Sequence, residues 1–378
     1  MVKKKFHIVF LCGWYPSRVL PNNGDFIQRH AEAVGILNKV SVIHIISDPS
    51  IKKNIEVSKS TINTIETHVA YVKVVKNPAK KIFLFFKAFK ILLKKVGCFD
   101  VVHLNKLYPF GVFALYLKWI HKKPYIISEH WTDYQAERSN IINIKELVIS
   151  KIITKNASYV CPVSYALQNA MIDLGLSGNY IPIPNVVDTD FFTFKEKTTS
   201  TFNILHVSNM NDEHKNISGI LSVIKKFSKK TLNFKFILIG ENSLKYHYLA
   251  NQLKIPAANI EFINHTAHED LINYFHKSSV FVLFSNYENL PCVILEAFST
   301  GTPVISTNVG GINEYFPENY GSLIPPKNED ALLKEISQFY ENKKLLESGL
   351  QMHDYVIENF DKIHICNRFN DLYKHVCK

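Results

Sequence analysis

Residues 286–311 read NYENLPCVILEAFSTGTPVISTNVGG, and the way this stretch is punctuated decides the fold. Just ahead of it the apolar run Val280–Phe284 reads as a buried strand. A polar turn, Ser285-Asn286-Tyr287, then presents Glu288 at the strand's carboxyl end. Pro291 stands where a helix starts, since its fixed φ and missing N–H suit the first turn. The segment Cys292–Thr300 reads as that helix, Gly301 falls where a C-terminal cap belongs, and Pro303–Ser306 is strand again. Strand, helix and strand in such close succession form the unit of a parallel sheet. The helix carries Glu296 one turn in, and its unpaired N-terminal amides point to the crevice that Glu288 faces. Such amides, with the helix dipole, favour an anion. Carboxylates beside an anion hole are costly unless they hold hydroxyl groups. Taken singly, Glu288 also fits a solvated loop residue and Glu296 a surface helix residue.

Working outward, the same alternation fills the chain. In the first half, strand-like runs occur at Phe6–Cys12, Val40–Ile46, His68–Val74, Asp100–Leu104, Tyr125–Ser128, Ser158–Val163 and Tyr180–Pro182. In the second they are Asn203–Val207, Lys235–Ile239, Ile260–Ile263, Val280–Phe284, Pro303–Ser306 and Ser322–Ile324. Helical spacing lies between most of them. With 378 residues, 47% of them hydrophobic, two α/β domains are expected, each a doubly wound sheet. DTDFFTFKEKTTST, residues 188–201, is polar and aperiodic and reads as the linker. The division expected is therefore 1–187, a linker over 188–201, 202–355, and a C-terminal helix over 356–378 that packs back toward the first domain. Doubly wound sheets bind ligands at the carboxyl ends of their strands, so two such domains facing each other imply a cleft.

Global composition narrows the classes. The six cysteines are scattered, with no CxxC pair and no His/Cys cluster at ligand spacing, which points to a reducing cytoplasm and no structural metal. The apolar run after Lys3-Lys4-Lys5 ends at Gly13-Trp14-Tyr15-Pro16 without a small-residue cleavage site, so it reads as a first strand rather than a signal peptide. A formal net charge of +11 fits nucleic acid, an anionic membrane or an anionic substrate. No nucleic-acid module accompanies the charge, and that partner is set aside.

The pattern Glu-x7-Glu, formed by Glu288 and Glu296 inside residues 286–311, resembles the donor-site signature of the family-4 retaining glycosyltransferases, which have the GT-B fold. The resemblance runs along the whole chain. PNNGDFIQRHAEAV is similar to that family's first glycine loop and helix, and Ser128-Glu129-His130-Trp131 to its histidine-bearing strand end. IPIPNVVDTDFF resembles the interdomain connector, and HVSNMNDEHKNISGIL the phosphate-contacting loop. LIGEN and EFINHTAHEDLINYF resemble the segments that wall the base. The resemblance implies two Rossmann-like domains facing each other across a donor-binding cleft, with a nucleotide-sugar substrate, UDP- or GDP-linked. By resemblance, Glu296 would accept hydrogen bonds from the ribose hydroxyls. Glu288 would sit beside the sugar ring and stabilise positive charge at the anomeric carbon, and Lys215 would pair with the diphosphate. Gly24 would let the first loop approach the phosphates, and His130 would lie near the sugar and the incoming hydroxyl. Asn289, Leu290, Cys292 and Val293 would offer backbone amides. Two positions depart from the family. Ser208-Asn209 replace the usual Gly-Arg, which leaves Asn209 at a phosphate-cation position, with Arg18 or Lys106 as candidates to substitute for it. Asn264, followed by His265, replaces the usual glycine of the base pocket. No Asp-x-Asp motif occurs, so no metal or other cofactor is expected.

The run KNPAKKIFLFFKAFKILLKK, residues 76–95, reads as a helix. Helical spacing places Ile82, Phe85, Phe86, Phe89, Leu92, Leu93 and Val96 on an inward face, and Lys80, Lys81, Lys87, Lys90 and Lys94 on the other, with Phe83, Leu84 and Ile91 among them. Aromatics among lysines suit an anionic bilayer surface. The reading is a cytoplasmic enzyme, peripheral at the inner face of the membrane, elongating a glycan or lipid-linked glycan acceptor. The alternatives are a same-fold epimerase or hydrolase, or a non-catalytic sugar-nucleotide-binding protein.

Overall fold

The computed structural model describes residues 5–197, 201–264 and 268–377. They form two compact units: Val187–Asp361, and a second made of the chain up to Val186 together with the stretch from Lys362.

The first unit is built on seven strands, β1 (His7–Cys12), β2 (Lys39–Asp48), β3 (Ile55–Ile62), β4 (Ile65–Lys73), β5 (Val101–Asn105), β6 (Tyr125–Glu129) and β7 (Tyr159–Pro162), in the order β3-β4-β2-β1-β5-β6-β7. All neighbours are parallel except β3, which runs antiparallel to β4. The helices are α1 (Asp25–Gly35), α2 (Pro78–Val96), α3 (Gly111–His121), α4 (Ile144–Asn156) and α5 (Tyr165–Asp173). The second unit holds β8 (Phe202–Val207), β9 (Phe234–Ile239), β10 (Ile260–Ile263), β11 (Val280–Leu283), β12 (Val304–Thr307) and β13 (Gly321–Ile324), all parallel, in the order β10-β9-β8-β11-β12-β13. Around them lie α6 (Asp212–Lys215), α7 (Ile217–Ser228), α8 (His247–Gln252), α9 (His268–Lys277), α10 (Cys292–Ser299), α11 (Glu329–Tyr340) and α12 (Gly349–Phe360). The last helix, α13 (Lys362–Val376), belongs to the first unit, where it packs on α1 and donates the Tyr373 hydroxyl toward His103 on β5, 2.6 Å away. In both sheets the chain reverses its winding direction beside the first strand, between β1 and β5 and between β8 and β11. These are the points where doubly wound sheets take ligands, at the carboxyl edge.

Three sequence expectations are corrected. β3 went unread because its sequence, IEVSKSTI, alternates polar residues on an exposed edge and buries almost nothing. The run Tyr180–Pro182 is one isolated bridge, Tyr180 to Val160, rather than a strand. In α2 the helical phase differs: Leu84 is 3% exposed and Ile82 71% exposed, the reverse of their expected faces. Apolar residues ring this helix at 82–86, so spacing alone does not fix its phase. The inward side is set by packing on β2 and β4 and by Phe86 and Phe89 against Phe113 of α3. The five lysines Lys80, Lys81, Lys87, Lys90 and Lys94 are all exposed.

Candidate functional site

In the second unit the turn after β11 is clamped onto α6 from several directions. The amide of Asn286 donates to the His214 carbonyl at 2.8 Å, and the Asn286 side-chain amide to the Glu213 carbonyl at 2.8 Å. The Tyr287 and His214 rings stack at 4.3 Å between centroids and 4° between planes. On the other side, Thr307 at the end of β12 donates its hydroxyl to the Ser285 carbonyl at 2.7 Å. Gly310 takes φ +56°, and a Cβ there would lie 1.8 Å from the Glu288 carbonyl oxygen, so only glycine lets the chain after β12 pass this close.

The clamp delivers Glu288 into a buried position against Lys215, Ser285 and His214. The Lys215 ammonium bonds Glu288 Oε1 directly. Ser285 Oγ donates to the same oxygen at 2.8 Å, and His214 Nε2 lies 3.3 Å from it. Burial pushes the Glu288 carboxyl up, but the Lys215 charge and the His214 contact more than offset this and hold it down at about 2. A buried ammonium and a buried carboxylate thus stabilise each other until a competing anion draws the ammonium away. Lys215 is positioned by α6, whose N-cap Asn211 accepts the His214 amide at 3.3 Å, and by the turn at Asn216, φ +50°, which opens α7.

Directly after Glu288 come Asn289 and Leu290, both buried, then α10 with Cys292 and Val293 half-buried on its first turn and Glu296 buried within it. Pro291 is the N-cap of α10 rather than its first helical residue. The helix ends in a Schellman arrangement: Gly301, φ +70°, donates to Phe298 at 2.9 Å, and Thr302 donates to Ala297 at 2.8 Å. Asn209 is exposed and its side chain accepts the Asn211 amide at 3.2 Å, while Ser208 Oγ accepts the Met210 amide at 3.2 Å. This pair builds the turn after β8. Asn264, also exposed, accepts the Asn242 amide at 2.8 Å and ties the ends of β9 and β10 together. His265 lies outside the described residues.

In the first unit, Gly24 caps α1 at φ +77°, and a Cβ there would come within 2.7 Å of the Trp14 carbonyl carbon. Close packing of the loop after β1 therefore demands glycine by itself. Glu129, wholly buried at the end of β6, accepts the amides of Leu107 at 2.8 Å, His130 at 2.8 Å and Trp131 at 2.9 Å, and so stitches the ends of β5 and β6. Burial raises its pKa and these amides pull it back. The His130 ring packs against Phe26 at 4.7 Å and His30 at 5.3 Å, and burial pushes its pKa well below the usual histidine value, which makes it a neutral imidazole. Arg18 is engaged by Asp48 at 2.9 Å and by Glu56 at 2.5 Å. The Lys106 ammonium sits between Trp14, at 3.8 Å, and Trp131, at 4.6 Å, with its pKa lowered by burial.

The site thus joins Lys215 to Glu288 and sets Asn289 through Glu296 on the adjoining loop and helix. His130 and Gly24 lie on the other unit. Sequence reasoning gave no site role to His214, Tyr287 or Ser285, though the first is adjacent to Lys215 and the other two belong to the turn that presents Glu288.

Two family models match nearly end to end: Glycosyltransferase Family 4 over residues 37–191 and Glycosyl transferases group 1 over residues 188–359. The chain belongs to this family of glycosyltransferases. It is 26% identical to an uncharacterized glycosyltransferase of Methanocaldococcus jannaschii over 262 residues, 69% of this chain and 70% of the relative. Over 144 residues, 36% of either chain, it is 29% identical to the Escherichia coli UDP-Gal:alpha-D-GlcNAc-diphosphoundecaprenol alpha-1,3-galactosyltransferase. Among solved structures, Anabaena HepE in complex with UDP superposes with a TM-score of 0.76 at 17% identity, over 98% of this chain and 100% of that one. That likeness establishes the fold as GT-B. The same protein is also seen with UDP-glucose.

Proposed function

We propose that this glycosyltransferase moves a sugar, with retention at the anomeric carbon, from a UDP- or GDP-linked donor to a hydroxyl of a lipid-linked glycan in cell-surface polysaccharide or lipopolysaccharide-type synthesis. The observation that carries the reading is the buried pairing of Lys215 with Glu288 beside the start of α10. A donor diphosphate competes for the Lys215 ammonium and for the α10 amides. Glu288, released, turns to the sugar hydroxyls while Ser285 Oγ, 2.8 Å away, still donates to it. As the anomeric C–O bond breaks, negative charge grows on the leaving phosphate, where Lys215 and the amides stabilise it without a metal ion. Positive charge grows on the sugar, where Glu288 acts. The departing phosphate takes the acceptor's proton. Glu296 holds the ribose.

The Escherichia coli relative, a galactosyltransferase acting on GlcNAc-diphosphoundecaprenol, supports a lipid-linked acceptor, and the two HepE complexes support a UDP-sugar. Among the described residues no helix is long and apolar enough to cross a membrane. The exposed lysines of α2 then hold the protein at the inner membrane face, each worth about 1 kcal/mol near an anionic surface. A panel of UDP-, GDP- and ADP-sugars, with and without a lipid-linked acceptor and with EDTA throughout, tests the reading. Acceptor-dependent product with retained anomeric configuration is the expected result. Turnover without acceptor would make the chain a hydrolase or epimerase, and binding without turnover a non-catalytic protein.

A further inference from the structure

α4 is packed inside out. A helix laid on a sheet buries its apolar side and shows water its polar side. In α4 the buried residues are Ser150, Ile153 and Thr154, two of them hydroxyl-bearing. Its outward line is aliphatic: Ile144 is 79% exposed, Val148 52% and Ile152 43%, and Ile141, just ahead of the helix, is 54% exposed. Lys145, Lys151 and Lys155 are exposed too, and with the aliphatics of the helix they fall within an arc of roughly 120°. The carboxylate of α4, Glu146, is half-buried and lies on the other side at that spacing. Single exposed aliphatics are ordinary on a protein surface. A line of them threaded with lysines and lacking any acid is not.

The neighbouring helices continue the pattern. The connections β4–α2–β5, β5–α3–β6 and β6–α4–β7 all step the same way along the sheet, so right-handed crossovers lay α2, α3 and α4 on one face. Trp119 and Ile120 of α3 and Ile82 and Phe83 of α2 are exposed on it, beside the α2 lysines. A second copy of the chain is a poor occupant, because a two-fold interface sets a surface against itself and would oppose lysine to lysine. Lipid phosphates suit the ammonium groups, while the stems of the lysines and the aliphatic side chains suit hydrocarbon. α4 also follows β6, so its N-terminal end, with Ile144, lies at the carboxyl edge of the sheet, where a ligand is taken.

We propose that the outward face of α4 inserts into the hydrocarbon boundary of an anionic bilayer, and that the α2 lysines supply attraction rather than insertion. This deepens the membrane reading above and shares its premise that the acceptor is presented at a lipid surface. The test is co-sedimentation of the full chain with vesicles of phosphatidylcholine alone or mixed with phosphatidylglycerol, across a salt series. The wild type is expected to keep a salt-resistant bound fraction on anionic vesicles. Val148→Asp/Ile152→Asp should lower binding roughly tenfold or more at every salt concentration. Lys87→Glu/Lys90→Glu/Lys94→Glu should lower it only at low salt. Both positions changed in α4 are exposed, so an unchanged thermal melt and unchanged UDP-sugar binding serve as the folding control.

Four results overturn the proposal: no vesicle binding by the wild type, complete release by salt, wild-type binding by the α4 variant, or conversion of a lipid-free dimer to monomer by that variant. Transfer to a water-soluble glycan should survive in the α4 variant. Loss of all transfer by the wild type would instead sink the functional reading and leave the vesicle result standing.

Discussion

The two units bury different titratable groups. In the first unit His30, His44 and His103 are buried and His130 half-buried, all four kept neutral by burial, and the buried acid Glu129 is spent on backbone amides. In the second, a lysine and a glutamate are buried as a charged pair. A charged pair suits a ligand that is itself an anion joined to a sugar, because its two ends can claim the two charges separately.

The largest expected effect breaks the charged side. Glu288→Gln should lower kcat on the order of 10²- to 10³-fold, as removal of one preorganised transition-state contact does, with donor affinity changed only a few-fold. Pre-steady-state turnover with a verified donor measures it. Near-normal turnover would remove Glu288 from the chemistry.

Lys215→Met should weaken donor binding by about 1.5–3 kcal/mol and destabilise the fold by about 3–5 kcal/mol, because Glu288 is left buried and unpaired. Adding Glu288→Gln in that background should restore much of the stability but none of the affinity. The control Lys225→Ala, whose half-buried side chain reaches the Lys254 carbonyl, should do neither. Denaturant melts and calorimetric titration separate the two losses, and a double variant no more stable than Lys215→Met would deny the pairing its energetic role.

Acid sharpens the comparison. A histidine with a folded pKa of about 4, as for His30 and His44, withholds stability as pH falls below the ordinary value of 6.5. At pH 5 each such ring costs about 2 kcal/mol. The Glu288 pair behaves in the opposite sense: its folded pKa of about 2 lies below the ordinary 4.5, so its contribution is whole above 4.5 and is lost as pH falls toward 2. The second unit has one comparable buried histidine, His206, at about 4. Hydrogen exchange between pH 7 and 5 should therefore show strands β1, β2 and β5 losing protection before β8 and β11. Simultaneous loss would contradict the contrast.

The glycines give a smaller effect. Gly24→Ala and Gly310→Ala each force a side chain onto left-handed backbone and into a neighbouring main chain, for about 1–3 kcal/mol. Both should lower the melting temperature of the free protein. A Gly24→Ala variant that melted normally yet lost donor affinity would return that glycine to a phosphate-approach role.

The sequence made some of this plain. Where burial is two-sided, as in β1 and β11, continuous apolar runs marked the strands to within a residue. Where an element is one-sided or ringed by apolar residues, as in β3 and α2, the decisive partner is elsewhere in the chain and spacing could not choose it. The same limit governs the site. Glu288 and Lys215 were each visible, but their contact spans 73 positions and needs the Tyr287–His214 stack that closes it. The outward face of α4 was not legible, because in IKELVISKIITKN apolar residues fall on every side of the helix and spacing does not say which of them meet water.

The chain leaves the first unit after Val186 and re-enters it at Lys362, and α13 then fills the groove beside α1. During synthesis the second unit is therefore complete before the first. Until the closing helix arrives, the α1 side of the β1–β5 core lies open, and Phe369 and Tyr373, which cover His103, are not yet made. A premature stop anywhere in the final turns would spare the second unit while leaving a sticky, unfinished partner attached to it. Quality control in the cell would meet that species as an aggregation hazard rather than as a merely inactive enzyme.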